Sequence, residues 1–185
     1  MRDYRFLFLF SLCVSCASTE TTKLSPKAIP KFSYNDGIIT HKKVNCSSGQ
    51  AINCMACALQ GEAANQPAQG IYAVGVTIMT RAKGKTNKVC KVTKSRRQFE
   101  GMKRRGYRKI SKKVWIISRQ VLARKETGWT HFWSPSAQAR LKRSKPIWAH
   151  RYEARQCQRE KIGDHVFYNE NVCRKKTIRK NASTK

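Results

Sequence analysis

"LQGEAANQPAQGIYAV", Leu59 to Val74, decides how the middle of this chain folds. Upstream of its break, Ile52, Met55, Leu59 and Glu62 fall at i, i+3, i+7 and i+10, one face of a helix. "ANQP" interrupts that face. Pro67 suits the first turn of a second helix, and Asn65 or Gln66 is placed to cap it. Ile71, Val74 and Ile78 then recur at helical spacing until Gly84 ends the run. The stretch therefore predicts two helices joined by a short break. It also sets Glu62, a scarce acid in this chain, on the apolar face beside that break.

Working outward, "ISKKVWIISRQVLARK" predicts a third helix, with Ile110, Val114, Ile117 and Val121 as its buried stripe and basic residues opposite. Asn87 to Arg108 reads as basic and irregular, with a short strand or loop around "VCKV". Beyond Gly128 the chain reads as aromatic loops: "WTHFWSPS", "KPIWAHRYEA" and "IGDHVFYN". Residues 18–45 are rich in Thr, Ser, Lys and Pro without any period, and read as a flexible linker. The expectation is one α-rich α+β domain over 46–173, followed by a basic disordered tail at 174–185.

Lys and Arg number 39 against 10 Asp and Glu, a formal charge of +29. A field of that strength steers the protein toward polyanions: nucleic acid, anionic lipid or an anionic envelope polymer. The N-terminus narrows the choice. "MRDYRFLFLFSLCVSCAS" runs from arginines through an apolar stretch to small residues, the order of a secretory signal over 1–17. "CVSC" also suggests a lipoprotein cleavage box, with Cys16 as the acylated residue and the chain's one route to a membrane anchor. An exported protein of the periplasm or outer envelope has little reason to meet nucleic acid. Export also makes disulfides the natural reading of Cys46, Cys54, Cys57, Cys90, Cys157 and Cys173, although six cysteines permit fifteen pairings. Cys54 and Cys57 form half of a zinc pattern that nothing completes, so neither metal nor cofactor is expected.

Glu62 shares its helical face with Met55 and Leu59, which points it toward the interior or a groove. Desolvation there disfavours the carboxylate and suits a group that delivers a proton to a glycosidic oxygen. A structural salt bridge to one of the many cations is the competing reading, with similar weight on pattern alone. Further carboxylates are Glu126, Glu153, Asp164 and above all Glu100, beside Gln98 and Phe99. His165 reads as structural, sharing one side of an extended segment with Phe167 while Val166 and Tyr168 take the other. His131 and His150 read as ordinary.

From Glu62 to Tyr168 the sequence resembles the SleB-type cell wall hydrolases, bacterial and phage enzymes that include spore-cortex lytic enzymes. The resemblance rests on "GEA" at Gly61–Ala63, "QGIYAVGVTIMTR" ending at Arg81, "RQFEG" with Gln98 and Phe99, "GWTHFWSP", "PIWAH" and "IGDHVFY", in order over about 110 residues. It implies a lysozyme-like fold, action on peptidoglycan as a monomer, and one essential Glu, which maps onto Glu62. Gln98 and Tyr168 are candidates to hold substrate amide or hydroxyl groups or to hydrogen-bond Glu62, and Phe99, Phe132, Trp133 and Trp148 are candidates for a sugar-stacking wall, with a plain core role equally open for each aromatic. Two departures stand out: Gln66 replaces a second family Glu, and Thr80 replaces the Asn before Arg81. A single acid suits a lytic transglycosylase, in which Glu62 protonates the leaving oxygen and then takes the proton of the sugar's own 6-hydroxyl. A second carboxylate facing Glu62, with Glu100 first in line, would suit muramidase-like hydrolysis instead. An amidase and a non-catalytic basic binder of envelope or nucleic acid are the rivals. The first wants zinc ligands that four scattered histidines do not supply, and the second suits runs such as "KRRGYRK".

Overall fold

The computed structural model describes residues 41–95, 98–99, 102 and 106–173. The leader with Cys13 and Cys16, the linker up to residue 40, Glu100 and the tail from 174 onward lie outside them.

Three helices carry the core. α1 (Ala51–Ala63), α2 (Ala68–Arg81) and α4 (Lys112–Arg124) pack on one another, with Met55, Leu59, Ile71, Val74, Ile78, Val114, Ile117 and Val121 buried between them. These are the stripes expected from the 3.6-residue period, so the pattern and the packing agree. Gly75 lets α2 approach α4: a Cβ there would lie 2.7 Å from Val121 Cγ2. The break between α1 and α2 falls where "ANQP" puts it. Pro67 itself is the N-cap, and no side chain caps the helix. Gln66 has another use, described below. α4 begins at Ser111, whose hydroxyl accepts the Val114 N–H at 3.3 Å.

The rest departs from expectation in instructive ways. The last five residues assigned to the linker form β1 (His41–Asn45), antiparallel to β2 (Tyr107–Ser111). Val44 is buried there, and Ile110 reaches the core from β2 rather than from the helix. "VCKV" belongs to a helix, α3 (Val89–Lys94), which follows a 3-10 turn at Thr86–Lys88. Val89 and Thr93 are its buried pair at i and i+4, a spacing that the basic residues around them hid.

The aromatic second half is also more regular than loops. β3 (His131–Trp133) and β4 (Gln158–Ile162) flank β5 (His165–Asn169) in an antiparallel sheet of order β3-β5-β4. As the central strand, β5 buries His165, Phe167 and Tyr168, using both of its faces. α5 (Pro135–Arg140) and α6 (Ile147–Ala154) lie between β3 and β4 in the chain. Ala149 and Tyr152 form the buried pair of α6.

Three disulfides select one pairing from the fifteen: Cys46–Cys57, Cys54–Cys90 and Cys157–Cys173. The first two fasten α1 to the turn after β1 and to α3. The helix that carries Glu62 is thus stapled twice. No helix among the described residues is long and apolar enough to cross a membrane.

Candidate active site

Glu62 sits in the last turn of α1, half-buried, on the stripe that buries Met55 and Leu59 deeper in the core. It opens into a cleft of about 640 Å³. Gln66, Arg81, Asp164 and His165 line that cleft with it, and Phe132, Trp133 and Trp148 supply aromatic surface. α5 forms part of the wall through Ser136, Ala137 and Arg140. A second cleft, of about 860 Å³, shares Arg81, Gln98, Phe132 and Trp148 with the first. It continues past Lys83, Thr130, His131 and Glu170. The two therefore form neighbouring compartments around a common partition.

Asp164 reaches the cleft because of a tight turn. Gly163 and Asp164 join β4 to β5 in a two-residue hairpin loop, with Ile162 and His165 paired across it. Gly163 takes φ +59, a conformation that favours glycine at this point in a hairpin. Gln66, only 4% exposed, grips the turn from the α1–α2 break. Its Oε1 accepts the Asp164 N–H at 2.8 Å, while its Nε2 donates to Asp164 Oδ2 at 3.2 Å. An added Cβ at Gly163 would lie 2.5 Å from that Oε1.

Arg81, the last residue of α2, crosses the partition. Its Nε donates to the Thr130 carbonyl at 3.0 Å and its Nη1 to Gln98 Oε1 at 2.6 Å. The guanidinium lies 5.5 Å from the Phe99 ring centre. Burial lowers its pKa, partly offset by the neighbouring Tyr152 and Glu170. Beyond it, the Tyr152 hydroxyl donates to Glu170 Oε2 at 2.6 Å and lies 3.2 Å from His131 Nδ1. Burial pushes Tyr152 up to about 12. Burial and the nearby Arg81 charge hold His131 below its ordinary value.

Of the residues singled out from sequence, the structure brings Glu62, Gln98, Phe132, Trp133 and Trp148 together, and Asp164 with them. Two others are elsewhere. Phe99 is buried beneath the partition, 6.3 Å from the Phe132 ring and 4% exposed. Tyr168 is fully buried, and its hydroxyl donates to Glu153 at 2.7 Å. Neither is among the residues that line the two clefts. Glu153 is occupied with Lys145 and Arg159, and the hydrogen bond from Lys145 is the main cause of its lowered pKa. Glu126 pairs with Arg124. Sequence reasoning passed over Thr130 and Glu170, read His131 as ordinary, and named Arg81 only as the end of a motif. Arg81 carried a readable signal, a lone cation closing an apolar helix. Glu170 carried none. Among the described residues, no group of three or more His, Cys, Asp and Glu side chains is placed to hold a metal ion.

The description of a known family, cell wall hydrolase, matches residues 65–168. The chain belongs to the cell wall hydrolase family. The matched segment starts just past Glu62 and takes in Gln66, Arg81, Gln98, both cleft tryptophans and the Gly163–Asp164 turn. The crystal structure of the catalytic domain of the Bacillus cereus SleB protein shares the fold, with a TM-score of 0.52 and 20% identity over 66% of this chain and 91% of that chain. No curated protein matches this chain. This cell wall hydrolase thus has the helix-rich architecture with small sheets that its sequence led us to expect.

Proposed function

We propose that this protein cleaves the glycan strand of peptidoglycan, with Glu62 as the proton donor. The observation that carries the reading is the setting of Glu62, a half-buried carboxyl opening into a cleft of about 640 Å³ walled by Phe132, Trp133 and Trp148. Aromatic faces suit sugar rings, and a chain of the cell wall hydrolase family suits a wall polymer. Glu62 stands in the last turn of α1, at the edge of that cleft, where a bound strand would meet its carboxyl group.

The favoured chemistry is a lytic transglycosylation. Glu62 gives its proton to the glycosidic oxygen as the C1–O bond breaks. The 6-hydroxyl of the same muramoyl sugar bonds to C1, and its proton returns to the Glu62 carboxylate. No water is consumed, and the tethered nucleophile supplies much of the rate. One observation favours a second reading. Asp164 lines the same cleft, so a muramidase-like hydrolysis with two carboxyl groups has a candidate partner other than Glu100. The amidase alternative lacks support from any metal-ligand grouping among the described residues.

We extend the proposal to the chain's surroundings. A leader at 1–17 would export the protein to the periplasm or outer envelope, with Cys16 as a candidate lipid anchor, and the +29 charge would hold it against anionic envelope polymers. The test is mass spectrometry of products from purified peptidoglycan. The wild type should release muropeptides with anhydro ends, each lighter by one water than a hydrolytic product. Glu62→Gln should release none while melting within a few degrees of the wild type. Full activity in that variant would remove Glu62 from the chemistry.

A further inference from the structure

Arg81 does something that the reading above leaves unused. The side chain is half-buried, yet both of its hydrogen-bond acceptors are neutral: the Thr130 carbonyl and Gln98 Oε1. Among the described residues no carboxylate forms an ion pair with it. Glu170, the nearby acid whose charge acts on it, has one oxygen committed to the Tyr152 hydroxyl, and its backbone N–H to Thr130 Oγ1. A guanidinium carries five N–H donors in a planar fork, and these two bonds occupy one on Nε and one on Nη1. A cation partly withdrawn from water, whose neighbouring acid among the described residues is engaged with Tyr152, favours an anion that can complete its fork. Arg81 lines both clefts, so what completes it must lie at their junction.

We propose that Arg81 is a carboxylate receptor that selects glycan whose muramoyl sugars carry a free carboxylate at the side arm. This rests on the glycan-cleavage reading. The strand would place its scissile bond beside Glu62 in the smaller cleft, and the arm would pass the Arg81 partition into the larger one. That compartment suits an anion. Lys83 lines it, and His131, the remaining titratable group among the described residues facing it besides Glu170, is held below its ordinary value by burial. The fork geometry of Arg matches a carboxylate through two parallel bonds, which a lysine cannot reproduce. Two sources present this chemistry on a muramoyl sugar: the lactyl arm where the stem peptide is missing, and the acidic residues of an intact stem.

The experiment compares wild type, Arg81→Gln and Arg81→Lys in the full chain, at salt high enough to screen diffuse surface attraction. The substrates are solubilised peptidoglycan, the same material with its carboxyl groups amidated by carbodiimide and ammonia, and glycan strands stripped of stem peptide. For the wild type, amidation should raise KM about tenfold with kcat changed little. Arg81→Gln should start at that raised KM, and amidation should add less than about twofold. Arg81→Lys should recover only part of the difference. A wild-type preference that persists on stripped strands assigns the lactyl carboxylate; one confined to intact material assigns the stem. Equal amidation effects in wild type and Arg81→Gln would overturn the receptor, leaving only diffuse charge. If the Gln variant fails to fold, the Lys variant decides in the same way, since wild-type-like KM and amidation response would refute the fork. Failure of the wild type to cut any of the three glycans is a different result, which sinks the cleavage reading itself.

Discussion

Replacing Gly163 by alanine tests how the core and the cleft are joined. At φ +59 a residue with a Cβ costs roughly 1–2 kcal/mol more than glycine. The new methyl would also lie 2.5 Å from Gln66 Oε1 and 2.9 Å from Pro67 Cδ. Gln66 is buried and holds Asp164 through two hydrogen bonds, so it cannot retreat without loosening both. Each bond contributes about 0.5–1.5 kcal/mol. Strain and lost bonds together give about 2–4 kcal/mol of destabilisation. For a domain of this size that lowers Tm by roughly 8–15 °C.

The informative assay is a double-mutant cycle by thermal and denaturant unfolding, with Gln66→Ala as the second change. Gln66→Ala alone gives up the same two hydrogen bonds, so the double variant should be about 1 kcal/mol or more better than the sum of the singles. Additivity within about 0.5 kcal/mol would show that Gly163 and Gln66 do not meet, and would refute the steric account. A Gly163→Ala protein as stable as the wild type would refute the turn conformation as well. Cleavage of glycan by Gly163→Ala at low temperature, where it is folded, should fall if the position of Asp164 matters to the cleft.

Reduction should lower the melting temperature sharply, because Cys46–Cys57, Cys54–Cys90 and Cys157–Cys173 close loops spanning 11, 36 and 16 residues, each worth about 2–4 kcal/mol; an unchanged melting curve under reductant would contradict those bridges. Stability should also fall in mild acid. Burial depresses His131 and His165 below the ordinary histidine value of about 6.5, so the unfolded chain binds protons first, and stability present above about pH 6.5 is lost as pH falls toward the folded values. His165→Phe, placed between Phe132 and Phe167, should flatten the change in Tm between about pH 7 and pH 5, and a slope as steep as in the wild type would show that His165 is not a source of it.

What could be read from the sequence follows the range of the forces involved. α1, α2 and α4 announce themselves because a long helix must repeat its buried face every three or four residues, whatever the rest of the chain does. α3 has room for only one such pair, Val89 and Thr93, and is held by Cys90 to a cysteine of α1, a contact no local pattern reveals. β5 was half-legible. The alternation of His165 and Phe167 against Val166 and Tyr168 marked an extended segment, but as a central strand it also buries Tyr168 on the other face, so no polar side announced its place in a sheet. Glu62 was legible from its own helix. Glu170 was not, since its place depends on Tyr152 in α6 and Thr130 before β3, each far away in the chain.

Gln66 shows how a departure in one position can be answered in another. Read locally, a glutamine where the family resemblance led us to expect a second acid looks like the loss of a supporting carboxylate. In the fold, Gln66 faces the Gly163–Asp164 turn and must do two things at once: accept the Asp164 N–H and donate to its carboxylate oxygen. An amide can do both. An ionised glutamate is an acceptor only, and it would set a second negative charge about 3 Å from Asp164 Oδ2, where one of the pair would have to keep a proton. With Asp164 at the turn, glutamine is the residue whose side chain satisfies both contacts at once. The cleft then holds two carboxyl groups whose settings differ: Glu62 at the carbonyl end of a helix, and Asp164 gripped by a neutral amide.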